Sequence, residues 1–108
     1  MRKVHHNTEN LNENCFVNLI ETDLIRSLHF PMSEVLMSIP KINERWYDLE
    51  RLKLKGNYPQ VTLRIHFEDV EGQKHVITKI LGVSDDYLII KTQLTIPIHR
   101  ITQIVEIN

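Results

Sequence analysis

The chain has 108 residues, of which 42% are apolar and 25% are charged, so it is long enough for one folded domain and too short for two independent cores. A net charge of −1 excludes a generally basic nucleic-acid coat protein, and the single cysteine, Cys15, excludes an intramolecular disulfide and a cysteine-based metal site. Residues 1–50 carry five basic and eight acidic side chains, whereas residues 51–108 carry eight and six, so an anionic partner would suit the C-terminal half better.

The first residues predict neither a targeting signal nor a folded element. Residues 1–14 are rich in Asn, His and Glu and have no sustained apolar period, which predicts a flexible tail. Polar residues follow Met1, Arg2 and Lys3 where a secretory signal would be apolar, and no apolar run approaches the roughly 20 residues that a membrane span requires. We therefore predict a cytoplasmic protein that does not bind membranes.

Residues 15–57 are predicted to be helical. An amphipathic helix ending near Pro31 is indicated by apolar residues at helical spacing, namely Phe16, Ile20, Leu24 and Leu28. Residues 15–20 also have β character, so a short strand there is an alternative. Ser33 and Glu34 begin a second helical stretch, which Pro40 interrupts or restarts.

The main helix is predicted over residues 40–54, with Gly56-Asn57 ending it. One face of this helix consists of Ile42, Trp46, Leu49 and either Leu52 or Lys53, and the opposite face consists of Glu44, Arg45, Asp48 and Arg51. We expect Trp46 and Leu49 to cover the open end of the structure that follows. Core packing is accordingly the favoured interpretation of Trp46.

After Pro59 the apolar period becomes two, which is typical of half-buried strands. Turns are indicated at residues 69–72, 84–86 and 92–93, and a tight helical turn at residues 99–102. Gly82 admits a bend in the second strand. The predicted strands cover residues 61–67, 73–83, 87–91, 94–98 and 103–107.

These elements predict an α+β fold in which N-terminal helices precede a five-stranded, strongly bent antiparallel β-barrel of the SH3/Sm-like type. The barrel occupies residues 58–108 and forms one structural domain with the helices. Its core is expected to contain Val61, Leu63, Ile65, Phe67, Ile80, Leu88, Ile90, Ile96, Ile101 and Ile104.

A family resemblance covers about half of the chain. It rests on Pro59-Gln60-Val61-Thr62-Leu63-Arg64-Ile65, Glu71-Gly72, Thr78-Lys79-Ile80 and Ile96-Pro97-Ile98-His99-Arg100-Ile101-Thr102-Gln103-Ile104. Residues 59–108 resemble the bacterial YolD-like proteins, and are similar to Sm-like proteins such as the Rho-binding inhibitor Rof and the RNA chaperone Hfq, and to WYL domains. The resemblance implies a small bacterial regulator with a helical N-terminus and a barrel-like C-terminus.

Catalytic, metal and cofactor sites are not indicated. Cys15 has no catalytic motif around it, and the isolated glycines form no phosphate-binding loop. Asp85 and Asp86 are typical of a turn. His66 and His75 are expected to face each other across the first hairpin, but no third ligand is placed by spacing, so they are predicted to be solvent-exposed strand residues. We predict that the protein is not an enzyme and uses no cofactor.

Two binding functions remain. A basic rim with Tyr87 as a stacking platform would bind RNA or single-stranded DNA, and its candidate residues are Arg64, Lys79, Tyr87, Lys91, His99 and Arg100. Alternatively, an adaptor or regulatory domain would bind an unidentified protein partner through the barrel or the helix face, where Trp46 and Tyr47 are adjacent aromatic anchors. The net charge slightly favours the protein partner, and self-association through barrel edges is compatible with either function.

Overall fold

The computed structural model describes residues 2–3, 18–55 and 61–107. It contains one α-helix, α1 (Ile39–Lys55), and short 3-10 helices at Thr22–Ser27, Lys91–Gln93 and Ile98–Arg100. The strands are β1 (Arg2–Lys3), β2 (Thr62–Asp69), β3 (Gly72–Val83), β4 (Tyr87–Ile90), β5 (Thr95–Pro97) and β6 (Ile101–Ile107). The α+β class and the five C-terminal strands are confirmed.

The strands form one sheet in the order β1-β6-β2-β3-β4-β5. Strands β2 to β6 pair antiparallel, and the two-residue β1 adds a parallel pairing to β6. The predicted closed barrel is wrong, because β5 lies at one end of this order and is not paired with β6 in the described residues. Only three residues long, β5 ends at Pro97, which has no N–H to donate to another strand.

The sheet bends where its pairing register shifts. Between Ile80 and Gly82 the register of β3 with β4 shifts, so the predicted bend at Gly82 is confirmed. A second shift lies between His66 and Phe67, where β2 pairs with β6. At the tip of the β2–β3 hairpin, Gly72 has φ +128°, a conformation that L side chains rarely adopt.

One hydrophobic core lies on the inner face of the bent sheet. Strand β2 alternates strictly between partly buried and fully buried residues, as its sequence predicted. Ile25, Leu49 and Leu52 add apolar groups from the N-terminal half. Every predicted core residue is buried, namely Val61, Leu63, Ile65, Phe67, Ile80, Leu88, Ile90, Ile96, Ile101 and Ile104.

Helix α1 starts and ends within one residue of the prediction, but its buried face is different. Arg45 and Asp48, predicted to face solvent, are buried beside Leu49 and Leu52. Trp46 is exposed, so the expectation that it packs in the core is wrong. The buried face rotates because Arg45 donates hydrogen bonds to Glu34 and to the Ile101 carbonyl, which brings its side of the helix against the sheet.

The first predicted helix does not form in its described part, residues 18–31. Leu19 makes a parallel β-bridge with His75, and the Ile20 N–H donates to the His75 carbonyl at 3.0 Å. One 3-10 helix, Thr22–Ser27, follows, with only Ile25 buried. The strand alternative is thus supported by the bridge at Leu19, whereas residues 15–17 lie outside the described ranges. Of the predicted tail, residues 1–14, Arg2 and Lys3 instead form β1, and the rest also lies outside the described ranges. The second stretch, from Ser33, is also non-helical until Ile39.

Candidate functional site

A groove of about 670 Å³ lies between residues 25–32 and the β4–β5 end of the sheet. Its lining combines apolar and polar surface in nearly equal parts, and it is open to solvent. Its floor is continuous with the core, because the ring of Phe30 lies 5.7 Å from that of Phe67. We define the groove by its lining residues: Ile25, Arg26, Leu28, Phe30, Met32, Asp86, Tyr87, Leu94, Thr95, Pro97 and His99.

The N-terminal wall of the groove is fixed by hydrogen bonds to the 3-10 turn between β5 and β6. The Nε2 atom of His99 donates to the Pro31 carbonyl at 3.0 Å, since a carbonyl oxygen can only accept. In return, the Val35 N–H donates to the His99 carbonyl at 2.9 Å. Further along, the Val70 N–H donates to the His29 carbonyl at 2.9 Å. The wall is therefore held in place although its residues are not in a regular helix.

The opposite wall is the outer edge of β5. The Leu94 carbonyl accepts a hydrogen bond from the Ile90 N–H of β4, and the Ile98 N–H donates to the carbonyl of Asp86, just before β4. Because bonding alternates along an antiparallel pair, the backbone N–H and carbonyl of Thr95 point away from β4 and towards the groove. Pro97 offers a carbonyl there but no N–H. The edge thus provides a short set of hydrogen-bonding groups beside an apolar surface.

The charge on the groove is mixed. Arg26, from the N-terminal wall, and Asp86, from the turn before β4, are both exposed. Tyr87 also lines the groove and is exposed. Among the described lining residues, only one carries a fixed positive charge. This arrangement suits a ligand with an apolar body and charges of both signs better than it suits a polyanion.

The six candidate residues are not brought together. Tyr87 and His99 line the groove, although the imidazole of His99 is already bonded to Pro31. Arg100 is only 7% exposed, and it donates to the carbonyls of Glu68 and Ser33 at 3.0 and 2.9 Å. Its predicted exposed position is therefore wrong. Its position on the 3-10 turn directs it inward, where it bonds the wall to the hairpin.

Arg64 and Lys79 lie on the outer face of the sheet, opposite the core. Arg64 is paired with Ile77 of β3 and Val105 of β6, and Lys79 is opposite Thr62. Lys91 is exposed in the 3-10 turn that follows β4, and it does not line the groove. A continuous basic rim is thus absent from the described part of the chain.

His66 and His75 do face each other on the outer face, with ring centroids 5.0 Å apart. The prediction that they are solvent-exposed is wrong, because His75 is buried and His66 is partly buried. Burial, the neighbouring His75 and the Arg64 guanidinium lower the pKa of His66 to about 4. Within residues 18–55 and 61–107, no group of three His, Cys, Asp or Glu side chains is placed to hold a metal ion.

The residues missed from the sequence lie in the N-terminal wall. Leu28, Phe30 and Met32 fall in and just beyond a segment predicted to be helical, so no strand-edge groove was expected beside them. Pro31 was read only as the end of that helix. A signal for extended backbone was present in Phe30-Pro31, because the residue before a proline is disfavoured in helical conformation.

Comparison with known proteins identifies no family or related structure for this chain. No protein-family model, no curated protein and no solved structure matches the chain. The function must therefore be argued from the groove and from the exposed surfaces of the described residues. Among those residues, none belongs to a helix of the length and apolar composition needed to cross a bilayer.

Proposed function

We propose that the protein is a non-enzymatic adaptor or regulatory domain of the cytoplasm that binds an extended segment of a protein partner in the groove. The observation that carries this proposal is the combination of an apolar floor with the outer edge of a strand. Extended peptides use these two features together, bonding to the strand edge and placing alternate side chains in apolar pockets. A volume of about 670 Å³ is suited to a short peptide segment.

Apolar burial supplies most of the binding free energy in this proposal. Thr95 offers the only backbone N–H that the three-residue β5 directs to the groove, because Pro97 has none. Each square ångström of apolar surface removed from water contributes about 25 cal/mol. One or two large side chains on the partner therefore contribute more binding free energy than the hydrogen bonds at the β5 edge. The partner segment therefore carries aromatic or aliphatic anchors.

The charges favour a peptide over RNA or single-stranded DNA. Arg26 is suited to an acidic residue of the partner, and Asp86 is suited to a basic one. A single-strand binder needs several cations along one path, since each phosphate contact adds to the affinity. Here Arg100 is buried, and Arg64 and Lys79 lie on a different face from Tyr87.

A relationship to SH3/Sm-like and YolD-like proteins is part of the same proposal. It is supported by the order of the five antiparallel strands, in which the last strand lies beside the first. The register shift at Gly82 and the 3-10 turn Ile98–Arg100 support it further, since small bent sheets need a sharp bend and a tight final turn. The open β5 edge is where the proposed ligand binds.

A random peptide library displayed on phage tests the proposal directly. We expect the protein to enrich peptides with one or two large apolar residues next to an acidic one. Replacing Tyr87 by Ala or Met32 by Ala should weaken the selected peptides at least tenfold, because both side chains line the groove. Isothermal titration calorimetry measures the loss.

Met37→Ala is the matched control. Met37 is 96% exposed, close to the 90% of Met32, but it does not line the groove, so its removal should leave affinity unchanged. Thermal melts of all variants check that folding is intact. The groove would be excluded as the binding site if no peptide is enriched, or if the peptide affinity is unchanged in both Tyr87→Ala and Met32→Ala. Salt-sensitive binding of short RNA that Tyr87→Ala weakens and Met32→Ala leaves unchanged would favour the nucleic-acid function instead.

A further inference from the structure

Helix α1 exposes a stripe of large apolar side chains, and one of them, Trp46, also borders a small pocket between the helix and the β3–β4 turn. Ile39, Trp46, Tyr47 and Leu54 are 72, 56, 60 and 86% exposed. At 3.6 residues per turn they fall on one face of the helix, away from the buried Arg45, Asp48, Leu49 and Leu52. Such a stripe on a helix marks a contact surface when it is contiguous. None of these four residues lines the groove.

The stripe is symmetric about its midpoint. Ile39 precedes Trp46 by seven residues, and Leu54 follows Tyr47 by seven. Between them lie two polar residues on the same face: Asn43 three residues before Trp46, and Glu50 three residues after Tyr47. Read from either end, the stripe has the order apolar, polar, aromatic, aromatic, polar, apolar. A surface with this order is complementary to itself when the second helix runs in the opposite direction.

We propose that two copies of the chain form a homodimer by packing α1 against α1 in an antiparallel orientation, related by a two-fold axis between Trp46 and Tyr47. A two-fold interface requires each surface patch to fit its own copy, and the symmetry of the stripe meets that requirement. The 17-residue helix provides about 25 Å of contact length. Antiparallel packing also places opposite ends of the two helix dipoles together.

The centre of the interface is aromatic. Trp46 and Tyr47 already contact each other edge to face, with ring centroids 5.1 Å apart. The two-fold axis brings a second such pair against the first, which forms a cluster of four rings. At each end, Ile39 of one helix packs against Leu54 of the other. Trp and Tyr at the centre of a contact contribute most of the binding free energy in many interfaces.

The polar positions are complementary too. Antiparallel pairing sets Asn43 of each copy opposite Glu50 of the other, so the Asn43 amide donates a hydrogen bond to the Glu50 carboxylate on both sides of the axis. Within one chain Glu50 accepts from Lys53 at 3.1 Å, and the Glu50 side chain is only partly buried, so its carboxylate can accept from a second donor. A partner helix from a different protein would fit the apolar residues equally well but has no reason to match this order.

Mass measurement tests the dimer with the full chain. Sedimentation equilibrium at roughly 100 μM should give twice the monomer mass of 12.8 kDa. Tyr47→Ser and Ile39→Ser should each weaken dimerisation at least tenfold, whereas Val70→Ser, at an exposed apolar residue in the β2–β3 turn, should not. The single tryptophan, Trp46, reports on the interface, so its emission should shift to longer wavelength on dilution in the unmodified protein.

A charge exchange tests the orientation. Asn43→Glu should weaken the dimer by placing carboxylates opposite each other, and Asn43→Glu combined with Glu50→Lys should restore it. In a parallel dimer the double variant would set like charges together and dissociate further. A monomer at every concentration, a dimer that Tyr47→Ser and Ile39→Ser do not weaken, or a double variant that fails to recover would each overturn the proposal. Peptide binding by the groove is measured separately on the same variants and is expected to be unchanged.

Discussion

Arg45 of α1 forms an ion pair with Glu34, and its second hydrogen bond of 2.8 Å to that carboxylate makes the contact bidentate. A further bond of 2.9 Å reaches the Ile101 carbonyl at the start of β6. Burial alone would raise the pKa of Glu34, but the bonds from Arg45 and from the Leu36 N–H lower it below the usual 4.5. One side chain thus connects the helix, the sheet and the segment that continues into the groove wall.

Loss of this connection should cost stability. Arg45→Ala removes the guanidinium donor from the Ile101 carbonyl and from Glu34, which keeps the Leu36 N–H, and we expect the free energy of unfolding to fall by about 2–3 kcal/mol. The figure is below that of a fully buried pair because the Glu34 side chain is partly exposed. Urea denaturation measures it. Arg51→Ala, at an exposed site on the same helix, should change stability by less than about 0.5 kcal/mol. Equal effects of the two substitutions would contradict this account.

The strands were predictable because their information is local. In β2 the apolar residues alternate without interruption from Val61 to Phe67, and turn residues mark its end. The extent of α1 was predictable for the same reason. Its buried face was not, because Arg45 is buried by partners 11 and 56 residues away, which no helical period reveals.

The groove was only partly predictable. Tyr87 was expected at the surface and does line it, whereas Arg100 was assigned to the surface because arginine is rarely buried. The N-terminal wall was missed because Ile20 and Leu28 match a helical spacing. In the fold, Ile20 instead bonds to β3 and Leu28 packs on the core. Long-range pairing overrode local periodicity there.

Large-to-small changes in the core test the architecture. Leu88 and Ile101 are fully buried, on β4 and β6, so Leu88→Ala and Ile101→Ala should each lower the free energy of unfolding by about 2–5 kcal/mol. Leu81→Ala, on the exposed side of β3, removes the same atoms as Leu88→Ala from a half-exposed site and should cost much less. Chemical denaturation compares the three. Similar midpoints for Leu81→Ala and Leu88→Ala would contradict the assigned faces of the sheet.

The outer face should make stability depend on pH through His66, whose pKa falls from 6.5 to about 4 in the fold. Between these values the unfolded chain binds a proton that the folded chain does not, so acid favours unfolding. Stability is then complete above about pH 7 and falls as the pH drops through 6.5 towards 4. Because solvent partly screens the ring, we expect a loss of about 2 kcal/mol from this residue.

His66→Gln should remove that part of the pH dependence. Urea denaturation at pH 7.5 and at pH 4.5 gives the difference for each variant, and the difference should shrink in His66→Gln. His29→Gln changes an exposed histidine and serves as the control, with the pH dependence of the unmodified protein retained. If His66→Gln shows the same difference in stability between the two pH values as the unmodified protein, then His66 is protonated to the same extent in the folded and the unfolded state.

The last prediction concerns two basic residues that were both predicted from the sequence to belong to one exposed basic rim. Arg100 is buried and bonds to Glu68 and Ser33, whereas Lys79 lies at an exposed position on β3. Arg100→Ala leaves two carbonyls unsatisfied and should lower the free energy of unfolding by about 2–4 kcal/mol. Arg100→Lys should recover only part of this, because an ammonium cannot reproduce the forked donors of a guanidinium. Lys79→Ala should change stability by less than about 0.5 kcal/mol.

Thermal and urea unfolding, measured beside RNA binding, decide between a structural and a ligand-contacting Arg100. A structural Arg100 lowers the unfolding midpoint when removed, and because it bonds to Ser33, which directly follows the groove wall, its loss also weakens the binding of peptides selected by the groove. If Arg100 instead contacts phosphate, Arg100→Ala should behave like Lys79→Ala: stability is kept and RNA affinity falls. The RNA affinity should then also depend less steeply on salt, because one counterion fewer is released on binding. If Arg100→Ala keeps full stability and shows that change in salt dependence, then Arg100 is an exposed residue that contacts phosphate. The nucleic-acid binding function would then be favoured over the protein-binding one.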